Sequence, residues 1–193
     1  KFFPNSDAPT VNMEDMVAAA GDDRALFHGI DRELVVTTPT EFSSGYSVGK
    51  FRNTYSDGGA QHDPKCPDTD FFLMRSAEAY LIAAEADARL NGGITTTTGT
   101  GYLNQLRNRA HATTMNQFSL NQILDERARE LYYEGHRRTD LVRYGYYGGN
   151  SDYKWEWKGG DPNGINFSET KNIFALPDDD INVNKNLKQN PGY

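Results

Sequence analysis

The middle third of the chain carries apolar residues at the spacing of an α-helix, and many of them are alanine. Between residues 70 and 90, the apolar positions fall on one helical face. They are Leu73, Ala77, Tyr80, Leu81, Ala84 and Ala88. The pattern predicts a helix that is capped by Asp70, runs to about Leu90 and is stopped by the Gly92-Gly93 pair.

Two further helices are predicted beyond a polar linker at residues 95–98. The first spans residues 101–110, and its apolar positions are Leu103, Leu106 and Ala110. The second begins near Ser119, and its apolar stripe is Leu124, Ala128, Leu131 and Gly135. The small residues in these stripes let neighbouring helices pack closely. The sequence therefore predicts a mainly α fold of tetratricopeptide-like helical hairpins.

Long irregular segments flank the predicted helices, in a chain with 18 Gly and 8 Pro among 193 residues. A chain of this length is most simply one domain. We divide residues 1–193 into a loop-rich segment (1–70), a helical-repeat segment (71–145) and an irregular C-terminal segment (146–193). Within the loop-rich segment, the patterns predict a short helix at residues 12–20 and a strand at residues 33–37.

Charge and composition exclude several classes of function. The formal net charge is −7, whereas proteins that bind nucleic acids need clustered Lys and Arg. The apolar runs are too short to span a bilayer. Cys66 is the single cysteine, and the four histidines are scattered with no HExxH motif. We therefore predict no nucleic-acid partner, no metal site and no cofactor.

The most highly charged stretch, LDERARELYYEGHRRTDLVRYG at residues 124–145, allows two interpretations. Glu126, Glu130 and Glu134 recur every four residues, so a helix would stack the three carboxylates as in an acid/base site. However, nearly every charge has an opposite charge three or four residues away, and abundant arginine keeps carboxylates ionised. We interpret the stretch as a structural ion-pair network in which Glu134 is buried and Gly135 permits close helix approach.

An aromatic alternation at residues 153–157 is the candidate ligand surface. In an extended chain Tyr153, Trp155 and Trp157 would share one face, and Lys154, Glu156 and Lys158 would lie on the other. Aromatic rings stack on the apolar faces of sugars, so the three side chains are candidates for glycan contact. The alternative is that these rings pack against the rest of the protein.

The helical-repeat segment contains three motifs, FFLMRSAEAYLIAAEA (71–86), LNQLRNRAHA (103–112) and ERARELYYEGHRRTDLVRYG (126–145). These motifs resemble those of the SusD/RagB family of outer-membrane nutrient-binding lipoproteins of Bacteroidetes. The end of the chain, FALPDDDINVNKNLKQNPGY (174–193), resembles the family's C-terminal signature. Departures from these motifs include His111 in place of Gly and Arg138 in place of Trp.

The resemblance assigns a structural role to twelve charged motif positions and to one glycine. These positions are Arg75, Glu78, Glu85, Arg107, Arg109, Glu126, Arg127, Glu130, Glu134, Gly135, Arg137, Asp140 and Arg143. No family motif covers the aromatic alternation.

The resemblance also implies a function. It implies a non-enzymatic protein on the outer leaflet of the outer membrane that binds starch or other glycans, or peptides in some branches. Its partner would be a SusC-like TonB-dependent transporter, and its only membrane attachment would be a lipid anchor upstream of this sequence. Residues 1–193 would form the C-terminal part of one SusD-like domain. A helical-repeat adaptor that binds only proteins is the alternative.

Overall fold

The computed structural model describes residues 21–193, except residues 54, 56, 64, 67, 150 and 152. The helix predicted at residues 12–20 lies outside the described residues. Five α-helices are described, namely α1 (Ser76–Leu90), α2 (Thr97–Arg109), α3 (Leu120–Leu131), α4 (Arg137–Arg143) and α5 (Asp178–Val183). Two short strands, β1 (Phe27–His28) and β2 (Ser47–Val48), pair antiparallel. The predicted mainly α fold with long irregular segments is confirmed.

The chain divides into two compact units, one ending at Glu134 and the other running from Gly135 to Tyr193. The first unit holds the two strands and helices α1 to α3, and the second holds α4, two 3₁₀ turns and α5. Among the described residues, no helix is long and apolar enough to cross a bilayer.

The core of the first unit lies where α1 contacts both α2 and α3. Its buried members are Ala77, Leu81, Ala84, Ala88, Leu103, Leu106, Phe118, Ile123 and Leu131. Ala77, Ala84 and Ala88 of α1 are almost fully buried, which confirms the prediction that these small residues face the neighbouring helices. Alanine brings the helix backbones close together because its side chain adds little bulk.

Side-chain caps explain where α2 and α3 begin. Ser119 and Gln122 form a capping box at the start of α3, and the predicted beginning of this helix near Ser119 is confirmed. Thr96 caps α2, so that helix begins at Thr97, four residues earlier than predicted. The expected polar linker is therefore shorter. Asp87 of α1 accepts hydrogen bonds from both the backbone and the hydroxyl of Thr96.

The predicted start of α1 is wrong. The helix begins at Ser76, not next to Asp70, and residue 75 has an extended backbone (φ −148°, ψ 157°). Leu73, placed on the apolar stripe by the sequence, is 81% exposed, and the neighbouring Met74 is 86% exposed. The extended backbone accompanies hydrogen bonds from the Arg75 side chain to Glu130 and Glu134.

The predicted strand at residues 33–37 is also wrong. This segment instead contributes Glu33 to an isolated bridge with Ser44, and the paired strands β1 and β2 lie on either side of that bridge in sequence.

The charged stretch is not one continuous helix. Helix α3 ends at Leu131, and α4 begins only at Arg137. Between them, Tyr133 (φ 61°) and Gly135 (φ 81°) have left-handed backbones. Gly135 is exposed, and a Cβ built there would meet nothing within 4 Å. The predicted role of Gly135 in close helix packing is therefore wrong. The glycine instead allows the left-handed backbone of the turn between the two helices.

Short helical segments shape the second unit. Lys158–Gly160 and Glu169–Asn172 are 3₁₀ turns, and Gly148 forms a bridge with Phe167. Asp178, Asp179 and Asp180 occupy the first turn of α5, where negative charge is favoured.

Candidate functional site

Three buried carboxylates organise the charges of the first unit. Glu126 and Glu130 lie one helical turn apart on α3, and Glu134 follows in the turn after the helix. Glu130 is 3% exposed and Glu134 is 5% exposed, so the predicted burial of Glu134 is confirmed. Carboxylates buried to this degree need charged or hydrogen-bonding partners.

Each carboxylate binds cations that are distant in sequence. Glu130 pairs with Arg75 at 2.6 Å, Arg109 at 2.6 Å and Arg24 at 3.1 Å. Glu134 accepts from Arg75 Nε at 2.7 Å and also pairs with Lys50.

The third carboxylate belongs to the same cluster. Glu126 pairs with Arg24 at 2.7 Å, Arg107 at 2.7 Å and Arg129 at 2.9 Å. We call the cluster the buried ion-pair network; its members are Arg24, Lys50, Arg75, Arg107, Arg109, Glu126, Arg129, Glu130 and Glu134.

The electrostatics of the network keep Glu130 and Glu134 ionised. Burial alone would raise the pKa of Glu130, but the hydrogen bonds and charges of Arg109 and Arg75 outweigh burial and lower this pKa to about 2. Burial also opposes ionisation of Glu134, yet hydrogen bonds from Arg75 and Lys50 lower its pKa below the usual range. A general acid needs a raised pKa, so this arrangement suits a structural network.

A cavity of about 310 Å³ opens beside the network. The rings of Phe72 and Tyr132 contribute to its walls together with Arg75, Glu130 and Glu134. These two glutamates are already held by basic side chains, and no group of metal-binding side chains is found in the described part of the chain. Glu130 and Glu134 therefore do not form a pair suited to acid/base catalysis.

The remaining charged motif residues form ion pairs or hydrogen bonds outside the buried ion-pair network. Glu85 pairs with Arg89 at 2.8 Å, and Arg127 lies 4.0 Å from Glu78. In the second unit, Asp140 pairs with Arg143 at 3.1 Å, and Arg137 donates to the Tyr153 hydroxyl at 2.7 Å.

Sequence reasoning missed two members of the network, Arg24 and Lys50. Both lie in the irregular segment, and Lys50 is 84 residues from its partner Glu134. Spacing rules for helices detect only partners within about one turn, so they carry no signal for these contacts.

Aromatic side chains of the second unit form a connected cluster. Tyr146 and Tyr153 stack with ring centroids 4.8 Å apart and planes 5° apart. Trp155 meets Tyr153 edge-on at 6.4 Å and Phe167 edge-on at 6.5 Å. Trp155 is 40% exposed, so part of its indole is accessible from solvent.

The predicted alternation of the aromatic residues ends at Trp155. Trp157 has a left-handed backbone (φ 64°), and a 3₁₀ turn begins at Lys158. An extended chain over residues 153–157, with its three rings on one face, is therefore wrong. Lys158, expected on the opposite, charged face, is instead buried at 1% exposure. The turn reverses side-chain direction, which strand periodicity does not anticipate.

Comparison with known sequences gives consistent matches. A model of the SusD family matches residues 36–193. The chain is 44% identical over 188 residues to the starch-binding protein SusD of Bacteroides thetaiotaomicron, an alignment covering 95% of this chain and 33% of that protein. It is 40% identical over 81 residues to SusD-like protein P25 of Formosa agariphila, covering 38% and 15% of the two chains. The chain thus spans about one third of the length of the first relative.

Solved structures of similar fold agree with these matches. A SusD superfamily protein from Bacteroides vulgatus superposes with a TM-score of 0.59 at 27% identity, covering 94% of this chain and 38% of that one. A laminarin-binding SusD-like protein superposes with a TM-score of 0.56 at 27% identity, covering 81% and 31%. The expected tetratricopeptide-like arrangement of the helices is confirmed by these similarities.

Proposed function

Because this chain belongs to the SusD family, we propose that it is part of a non-enzymatic protein that binds glycans at the cell surface. The observation that carries the proposal is the 44% identity to a starch-binding protein across 95% of the chain. The similarity to a laminarin-binding SusD-like protein also supports a polysaccharide or oligosaccharide ligand. A glycan-binding function is favoured over a protein-adaptor function because both of these proteins are named for a glycan that they bind.

We also propose a cellular location and a partner protein. Membership of the family supports a lipid-anchored location on the outer leaflet of the outer membrane. It also supports delivery of the ligand to a SusC-like TonB-dependent transporter. Residues 1–193 would then act as the C-terminal part of one SusD-like domain. Co-purification of the transporter with the protein from outer membranes is the expected result, and recovery of the protein without it would contradict the partner assignment.

The aromatic residues Tyr153, Trp155 and Trp157 remain our proposed ligand surface. Trp155 is the most suitable of them, because its indole is partly exposed while the adjacent rings hold it from the sides. Stacking of an aromatic ring on a sugar buries apolar surface of both partners. Tyr153 would support Trp155 through their edge-on contact.

Replacing Trp155 by alanine should weaken glycan binding about tenfold, which corresponds to ~1.4 kcal/mol of binding free energy. Titration calorimetry with maltoheptaose and with laminarin measures the change, and thermal unfolding confirms that the variant remains folded. Phe42→Ala is the control, because Phe42 is 90% exposed and belongs to the other unit.

Equal affinities of the Trp155→Ala and Phe42→Ala proteins would remove the aromatic residues from the site. Binding of peptides in the absence of any glycan binding would instead favour the peptide-binding alternative.

A further inference from the structure

Lys158 is a buried cation placed against the exposed tryptophan. Its ammonium nitrogen lies 4.6 Å from the centre of the Trp155 ring and 4.9 Å from the centre of the Phe167 ring. The same nitrogen donates to the backbone carbonyls of Tyr147 and Tyr153, both at 3.0 Å. The Lys158 ammonium nitrogen therefore contacts the rings of Trp155 and Phe167 and the backbone of two tyrosines.

The environment of this ammonium group is unusual for a buried lysine. A buried charge normally has a carboxylate partner, yet among the described residues no carboxylate pairs with Lys158. Burial lowers its pKa, and the charge of Lys154 lowers it further. Carbonyl oxygens and aromatic faces replace the carboxylate as the groups that favour the charge.

The main chain also ties Lys158 to Trp155. The amide of Lys158 donates to the Trp155 carbonyl at 3.0 Å, and Ile165 donates to the Lys158 carbonyl at 3.0 Å. Gly164 lies so close that an added Cβ would come within 2.3 Å of the Trp155 carbonyl oxygen. The loop thus closes tightly around the backbone of Trp155, and Lys158 contacts both the backbone and the ring of that residue.

We propose that Lys158 is a positioning residue for glycan binding, which fixes the indole of Trp155 in the orientation that stacks on a sugar. This inference rests on the proposed function of Trp155. The ammonium group occupies one region of the ring, and the exposed remainder is left for the ligand. Because the hydrogen bonds to Tyr147 and Tyr153 hold the ammonium group in place, the indole has a fixed contact on its protein side.

Two variants in a Trp157→Phe background test the proposal, with the Trp157→Phe protein as the parent for both measurements, since Trp155 is then the sole tryptophan within residues 1–193. Lys158→Met keeps the apolar stem and removes the charge and the donors. Lys158→Gln removes the charge but retains an amide that can donate to the two carbonyls. We expect the acrylamide quenching constant of Trp155 fluorescence to at least double in Lys158→Met. We expect the affinity for maltoheptaose or laminarin, whichever glycan the parent protein binds, to fall at least fivefold. Lys158→Gln should lie between the parent and Lys158→Met.

The two readouts separate this inference from the proposed function. Unchanged quenching in both variants would overturn the positioning role whatever the glycan data show. Increased quenching with unchanged affinity would also overturn it, because ring orientation would then not matter for binding. Loss of the folded state in both variants would make Lys158 a determinant of stability and overturn the proposal as well. If Trp155→Ala itself leaves affinity unchanged, the proposed ligand surface fails, whereas the quenching result still reports on the orientation of the ring.

Discussion

Replacing Glu130 by alanine should lower the free energy of unfolding by about 3–5 kcal/mol, because it leaves buried cations without their acceptor. Arg24, Arg75 and Arg109 all pair with this carboxylate, and Arg24 and Arg75 are themselves largely or partly buried. A loss of this size is a large share of the stability of a typical domain. Chemical denaturation of the parent and variant proteins measures it.

Glu41→Ala is the matched control for this loss, since Glu41 is an exposed carboxylate of the same unit. We expect that change to alter stability by less than ~0.5 kcal/mol. Equal stability of the two variants would mean that the network contributes little to folding.

Acid should remove the same stabilisation. The pKa of Glu130 is lowered from 4.5 to about 2 in the folded protein, so its contribution is fully present above pH 4.5 and is lost as the pH falls towards 2. A shift of this size corresponds to about 3 kcal/mol. Glu134 changes in the same direction, because its pKa is also lowered.

Unfolding free energies of the parent and of Glu130→Gln, measured from pH 7 to pH 2, isolate this effect. The glutamine variant lacks the titrating group, so it should be less stable at pH 7, and the two curves should converge near pH 2. Parallel curves over the whole range would show that Glu130 does not titrate as the network requires.

The helices of the first unit could be largely predicted because their signals are local. The alanine-rich stripe of α1 and the Ser119–Gln122 capping box of α3 each lie within a few residues of sequence. The start of α1 could not be found in this way. Arg75 has an extended backbone and contacts carboxylates 55 and 59 residues away, which the local pattern does not contain.

The network itself was predictable only in part. The three glutamates and their structural role follow from the repeated spacing and the abundance of arginine. The interpretation of pairs along one helix was incomplete: Glu126 does pair with Arg129, but the main partners of Glu134 are Arg75 and Lys50. The helix ends at Leu131, before Glu134, so the spacing rule no longer applies to that residue.

The aromatic residues illustrate the limit of strand periodicity. Alternation predicted three rings on one face of an extended chain, and this prediction failed at the left-handed backbone of Trp157. Burial of Lys158 depends on carbonyls and rings brought together by the closed loop, and a charged residue in an alternating pattern carries no such signal.

Glu134→Ala tests most directly whether the buried ion-pair network of the first unit is a structural feature separate from the proposed ligand surface in the second. Thermal unfolding and calorimetric titration with maltoheptaose and laminarin would be carried out on the same variant. Removal of this buried carboxylate deprives Arg75 and Lys50 of their shared partner, so we predict a loss of about 3 kcal/mol in stability. We also predict that the affinity of the molecules that remain folded is unchanged. Normal stability with lost glycan binding would contradict the account and place the binding site at the network.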